Sequence, residues 1–311
     1  METNNAIPLV SVIMPAYNAA LFIEEAIASV RAQTVTDWEL FVIDDCSTDD
    51  TYKIACDIAM SDKRITVLKN EENMGVAKTR NRGIDLSNGK FIAFLDSDDR
   101  WHTEKIEHQL QKQKNTKAKI IYCSYAIIDA NGNKCRADYL VPDTVSYNSL
   151  LKENCMQCSA MLIDINIVKS IKFNTEYYHE DYILGLEILK AGYISAGCTD
   201  VLLDWRYITN SRSFDKRKSA KNRWLIYRKY LKLPLMKCIW VFSTFLFSSH
   251  CSLMASFPLS RRPYNAVHHF MFEFLFRPYA ELDFHRRDGF AELVVVLDAQ
   301  LCYLQFYVIH V

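Results

Sequence analysis

Directly after the apolar run Phe91 to Leu95 the chain reads Asp96-Ser97-Asp98-Asp99. Two carboxylates one residue apart, just past a buried strand, can present both side chains to a divalent ion or to a ribose. Mg²⁺ and Mn²⁺ take oxygen ligands and commonly bridge a few carboxylates to substrate phosphates. Such a bridge would neutralise the charge that builds on a departing diphosphate. The competing reading is a solvated acidic turn with Asp99 as a helix cap. The preceding apolar strand and a second acidic pair, Asp44-Asp45, favour a site. Asp45 could accept a hydrogen bond from a nucleobase while Tyr17 packs against the ring, and the run from Asp44 to Asp50 could equally cap a helix. Asn73, Gly75, Arg80 and Asn81 offer a loop and polar groups suited to a phosphate or ribose. His179-Glu180-Asp181 is either a helix start or a general base for an acceptor hydroxyl; the residues alone leave the two level. Arg206 could meet a diphosphate or pair with a surface acid. Cys155 and Cys158 have metal-like spacing but no second pair, so they read as ordinary thiols rather than a zinc site.

These groups need elements to hold them. Leu9 to Met14 reads as a buried strand closed by Pro15, and Asn18 can cap a helix whose Ile23, Ile27 and Val30 share a face. Glu39 to Ile43 is a second strand. Ser47, with Asp50 three residues on, makes a capping-box-like start for a helix through Met60. Arg64 to Leu68 is a third strand, Val76 to Leu86 a helix, and Phe91 to Leu95 a fourth strand. Alternating apolar strands and helices predict an α/β fold, a Rossmann-like, mostly parallel sheet with helices on both faces. Ligands bind beyond the carboxyl ends of such strands. The segments Pro15 to Asn18, Asp44-Asp45 and Asp96 to Asp99 all fall there, so three distant clusters converge on one edge.

Past a helix near Thr103 to Gln113 the pattern changes. Lys119 to Ser124, Ala126 to Asp129 and Ser159 to Ile163 read as strands, and Asn131-Gly132-Asn133 as a hairpin turn. Asp181 to Lys190 has helical spacing and stops at Gly192. This stretch predicts a mixed subdomain laid against the first sheet.

The 37 basic and 37 acidic residues cancel, but unevenly. Between Arg212 and Lys237 ten Lys or Arg face one acid, Asp215, which leaves residues 1–211 net acidic. An acidic body with its basic charge set apart is unlike a nucleic-acid binder. Ten cysteines without framework spacing, and no signal peptide ahead of the first strand, indicate a cytoplasmic setting. From Ile239 to Ser260 there is no Lys, Arg, Asp or Glu, a length that could span a bilayer. Its serines and His250 equally fit a membrane-surface or buried hairpin.

The ordered blocks PLVSVIMPAYN, VIDDCSTDDT, the N-x-G-x-x-x-x-R-N of Asn73 to Asn81, FIAFLDSDD and HEDY resemble the family 2 inverting glycosyltransferases of bacterial polysaccharide, O-antigen and capsule synthesis. The resemblance covers about residues 7–215. It implies a GT-A fold, a UDP-sugar or similar donor, and Mg²⁺ or Mn²⁺. Residue by residue it implies that Ala16, Tyr17 and Asp45 hold the base of the nucleotide, with Asn73, Gly75 and Arg80 also on the donor. Asp96 and Asp98 would serve ribose and metal, with Asp99 close by. Glu180-Asp181 matches the catalytic-base motif, with Asp181 the favoured base. Trp205-Arg206 followed by Ser211 and Ser213 is similar to a family segment near the donor diphosphate. The implied reaction is a single inverting displacement on a saccharide or lipid-linked saccharide acceptor, at the inner face of the cytoplasmic membrane with peripheral membrane contact. The implied organisation is a nucleotide-sugar-binding half over 1–115, an acceptor and base half of the same domain over 116–215, and a basic helix with an apolar tail over 216–311. That tail departs from the pattern, as an added membrane-docking segment or the product of a frameshift or fusion. A nucleotidyltransferase is disfavoured because PAYNAALFIEE lacks a Gly-rich phosphate loop, and the intact acidic clusters argue against a non-catalytic binding partner.

Overall fold

The computed structural model describes residues 7–208 and 216–254. Its strands form one eight-stranded sheet in the order β3-β2-β1-β4-β7-β6-β8-β5. In chain order these are β1 (Val10–Ala16), β2 (Trp38–Asp44), β3 (Ile65–Lys69), β4 (Phe91–Phe94), β5 (Arg100–Trp101), β6 (Ile120–Ile128), β7 (Leu162–Asp164) and β8 (Ser195–Arg206). The first four pair in parallel, as does β6 with β8. β7 runs antiparallel between β4 and β6, and β5 antiparallel on β8. The donor-side strands and the later mixed strands therefore share one sheet.

Helices α1 (Ile23–Arg31), α2 (Thr51–Ala59) and α4 (Lys105–Thr116) cover one face; α3 (Val76–Leu86) and α6 (Ile165–Ser170) cover the other. The period of two along β1 sorts the faces. Val10, Val12, Met14 and Ala16 join the core with Ile23, Ile27 and Val30 of α1, as the periodicity predicts. Ile13 points to the opposite face, against Gly83 of α3, where a Cβ would stand 2.5 Å from Ile13 Cγ2. The remaining helices are α5 (Tyr147–Lys152), α7 (Glu180–Lys190), α8 (Lys216–Leu225) and α9 (Leu235–Met254), with a π-helical turn at Ile226–Tyr230 between the last two.

Several local expectations are corrected. β1 runs through Pro15 to Ala16. Ile13 accepts from Leu95 N on the β4 side, so Pro15, two residues on, turns its missing N–H to that same side, where β4 has ended. Asn18 does not cap α1. It takes a positive φ of 49° and its side-chain oxygen accepts from Thr48 N, at 2.9 Å. Ser47 and Asp50 make no capping box: Ser47 Oγ accepts from Asn18 N and Asp49 accepts from Thr51 N at the start of α2. Tertiary contacts have drawn off the polar side chains that local pattern would spend on caps. The two expected strands around Tyr125 are one, β6, with its register shifted at Ser124. Ser159 lies in a 3₁₀ turn, Cys158–Ala160, ahead of β7. Cys155 and Cys158 are buried thiols, and burial pushes Cys155 up to about 12. No described helix is long and apolar enough to cross a membrane. Residues 209–215, including Ser211 and Ser213, and the tail after Met254 lie outside the described residues.

Candidate active site

The carboxyl ends of β1, β2 and β4 build one side of the site. Asp45 N donates to Ala16 O at 2.7 Å, and the loops that follow β1 and β2 are tied by Asn18 N to Ser47 Oγ. Asp45 is buried, and its carboxylate closes the next loop. Oδ1 accepts from Asn70 Nδ2 (2.7 Å) and Met74 N (2.9 Å), and Oδ2 from Gly75 N (2.8 Å). A carboxylate oxygen can accept twice, so Oδ2 keeps capacity for a ligand N–H. Gly75, at φ 83°, turns the chain into α3, a conformation that side chains oppose. Asn73 is exposed and accepts from Gly75 N. Tyr17 is half exposed beside Ala16. Asn81 spends both ends of its amide on Phe173 N and O.

The acidic run is pinned from two directions. Ser159 Oγ accepts from Asp96 N (3.0 Å) and donates to Asp99 Oδ2 (2.6 Å). Asp99 Oδ1 accepts from Arg206 N at 2.9 Å. Asp99 is thus buried with both oxygens occupied, and burial and then Asp98 raise its pKa well above the usual carboxylate range. That geometry makes Asp99, named with the metal ligands on its place in the run, an anchor that ties the loop to Ser159 and to Arg206. Asp98 differs: it is half-buried, and no other described residue donates a hydrogen bond to its carboxylate. Burial and the charge of Asp96 push it up to about 6. A carboxylate starved of donors beside a second one fits a divalent cation. Among the described residues no three His, Cys, Asp or Glu form a ready cage, so diphosphate oxygens and water would complete the shell.

Arg80, from α3, joins this run to the base motif. Its guanidinium is buried, with Nη2 on Asp96 Oδ1 at 2.5 Å and Nη1 on Glu180 Oε1 at 2.8 Å. It is expected on the donor, yet the structure spends it on two carboxylates. Asp181, next in sequence, receives no side-chain hydrogen bond among the described residues and is half-buried. Burial first, then Glu180, raises its pKa to about 6, against an opposing pull from Arg80. His179 enters α7 at φ 64°, and its Nε2 meets Ser219 Oγ of α8 at 3.0 Å.

Arg206 spends its guanidinium on the chain itself. Nε donates to Asp98 O (2.7 Å), Nη1 to Asp129 O (3.2 Å) and Ala130 O (3.0 Å), and Nη2 pairs with Glu25 Oε2 (2.5 Å). Glu25 of α1 also pairs with Arg100, which holds Asp204. The pairing with an acid that the sequence offered as one reading is present, with Glu25, and the same guanidinium also clamps the acidic loop. Sequence reasoning also missed Ser159 and Glu25. Neither carries a local signal: their partners lie 60 and 181 residues away.

An acidic run at the carboxyl end of β4, tied through Arg80 to the Glu180-Asp181 pair at the start of α7, on a mostly parallel α/β sheet, is the frame in which the class is read. The sequence profile of Glycosyl transferase family 2 matches residues 11–174. The chain is 35% identical over 235 residues to the putative teichuronic acid biosynthesis glycosyltransferase TuaG of Bacillus subtilis, covering 76% of this chain and 93% of that one. It is 38% identical over 232 residues to the UDP-Glc:α-D-GlcNAc-diphosphoundecaprenol β-1,3-glucosyltransferase WfgD of Escherichia coli, covering 74% and 89%. Its fold matches the mannosyltransferase PcManGT of Pyrobaculum calidifontis, solved with GDP-Man and Mn²⁺, with a TM-score of 0.59 at 17% identity over 95% of this chain and 86% of that one. The chain belongs to glycosyl transferase family 2. It is an inverting, nucleotide-sugar-dependent glycosyltransferase of bacterial polysaccharide synthesis with a GT-A fold.

Proposed function

We propose that this enzyme transfers glucose from UDP-glucose to a diphospholipid-linked saccharide at the inner face of the cytoplasmic membrane, with Asp181 as general base and Mg²⁺ or Mn²⁺ held by Asp98 and Asp96. The donor and acceptor classes follow the activity of the similar glucosyltransferase WfgD. The base assignment rests on one observation: of the two adjacent acids, Glu180 is locked to Arg80, while among the described residues Asp181 has no side-chain donor. A carboxylate held at about 6 is ionised at neutral pH and still basic enough to receive a proton as the acceptor hydroxyl attacks. The bound cation would offset the charge that develops on the departing diphosphate. Around it, Asp45 and Tyr17 orient the nucleotide, Asp96 faces the ribose, and Arg80 keeps Asp96 and Glu180 at a fixed separation. Residues 1–115 act as the donor half, and 116–215 present the acceptor and base.

The test is transfer of labelled glucose from UDP-glucose to a synthetic alkyl-diphospho-N-acetylglucosamine, with and without Mn²⁺, and NMR of the product. A β-linked product formed only with metal is expected. Transfer from GDP-sugars alone would overturn the donor assignment, and near-normal turnover by Asp181→Asn would overturn the base.

A further inference from the structure

The elbow between α8 and α9 carries charge of one sign beside exposed apolar side chains. From Lys216 to Met254 the sequence holds nine Lys or Arg and no Asp or Glu. Lys221, Arg228, Lys229 and Lys232 are exposed, and Lys237 is partly so. Arg228 Nη1 donates to Leu233 O and Lys232 adopts φ 51°, which folds the basic turn back onto the start of α9. Cys238, Val241 and Phe242 bury the inner face of α9, with Phe242 5.3 Å from Trp224 of α8. On its outer face Met236 and Trp240, one turn apart, are 74% and 52% exposed. Lys152 of α5 lies 4.4 Å from the Trp240 ring.

We infer that this elbow is a docking surface for an anionic phospholipid bilayer, with Met236 and Trp240 entering the headgroup layer and the basic turn meeting the lipid phosphates. The inference rests on the proposed membrane-linked acceptor and names the surface that would meet it. Charge complementarity alone would also fit a nucleic acid. The exposed Met and Trp beside the cations favour lipid, because an indole with one apolar and one polar edge suits the bilayer interface. Placement supports the same partner. Ser219 of α8 holds His179, and Arg223 stacks 3.5 Å from the Tyr182 ring, so the docked elements brace the helix that carries Asp181. Docking would then set the base beside the surface from which a lipid-linked acceptor presents its hydroxyl.

The experiment is flotation of the full chain with phosphatidylcholine vesicles, with or without phosphatidylglycerol, together with glucose transfer to a short-chain soluble acceptor. Wild type should float only with the anionic vesicles and be released by salt. Lys229→Ser/Lys232→Ser should weaken partitioning about 30-fold, the effect of removing two cations near a charged bilayer. Met236→Ser/Trp240→Ser should also weaken it, and both pairs should keep the wild-type melting temperature and soluble-acceptor rate. Wild type that stays unbound would overturn the surface, as would variants that float as wild type does, which would assign binding to residues 255–311. Retention on RNA without flotation would overturn it in favour of nucleic acid. Transfer to the soluble acceptor is read separately, so loss of the proposed activity and loss of docking are distinguishable.

Discussion

Glu180 and Asp181 are adjacent acids with different surroundings. Arg80 holds the first, and burial with Glu180 lifts the second to about 6 from 3.8. Because the base must be ionised, kcat/KM for transfer should fall tenfold per pH unit below about 6 and level off above it. A limb near 4 would mean that Asp181 is not the titrating base. Asp181→Asn should lower kcat by about 10²–10⁴-fold while leaving UDP affinity within a few-fold, measured by steady-state kinetics and calorimetry. At the other pole, Arg206 fixes the backbone of Asp98 and the carboxylate of Asp99, with Glu25 as its counterion. Glu25→Gln should therefore weaken Mn²⁺ binding in the presence of UDP by roughly tenfold, the usual effect of loosening residues behind a metal ligand. If Arg206 instead served the diphosphate, releasing it from Glu25 would leave that titration unchanged or tighten it.

The elements were more legible than their joints. α3 runs from Val76 to Leu86, as its pattern predicts, because Gly75 and Asn88-Gly89 punctuate it on both sides. The four parallel strands were readable as apolar runs, and their carboxyl ends located Asp45 and the Asp96 to Asp99 run. What the sequence concealed depends on contacts between elements: Ser159 under the acidic run, Glu25 behind Arg206, and Asn18 spent on Thr48 rather than on α1. A hydrogen bond to a partner 60 residues away leaves no periodic trace. Gly83 is such a contact seen from the backbone. Its missing Cβ lets α3 press on Ile13, and a methyl there would sit 2.5 Å from Ile13 Cγ2. Helix propensity favours Ala over Gly by roughly 1 kcal/mol, but overpacking a filled interface costs about 1–3 kcal/mol. Gly83→Ala should therefore lower the melting temperature; an increase would show that the sheet yields there.

For the whole molecule, the sequence places a net excess of basic charge between Arg212 and Lys237, and the structure shows what part of the chain from Lys216 on is built into the enzyme. α9 sets Phe242 against Trp224 of α8 and packs on the Ile226–Tyr230 turn, in which Tyr227 is buried. Tyr227 in turn donates to Leu151 O, the carbonyl that Tyr182 of α7 also reaches. The base helix, α8 and α9 thus share one packed cluster, to which residues after Lys237, namely Cys238, Val241 and Phe242, contribute buried side chains. Two shortened chains separate the consequences. A chain ending at Met254 retains every contact of this cluster and should melt close to the full chain, with similar UDP binding. A chain ending at Lys237 loses Cys238, Val241 and Phe242 from the buried face. Loss of one buried aromatic alone costs about 3–5 kcal/mol, so it should melt lower. Because α8 then loses its backing behind His179 and Tyr182, kcat should drop more than affinity for UDP, whose proposed contacts, Tyr17 and Asp45, follow β1 and β2. Equal melting temperatures and equal kcat for the two chains would show that α9 is an appendage, and that the base is positioned without it.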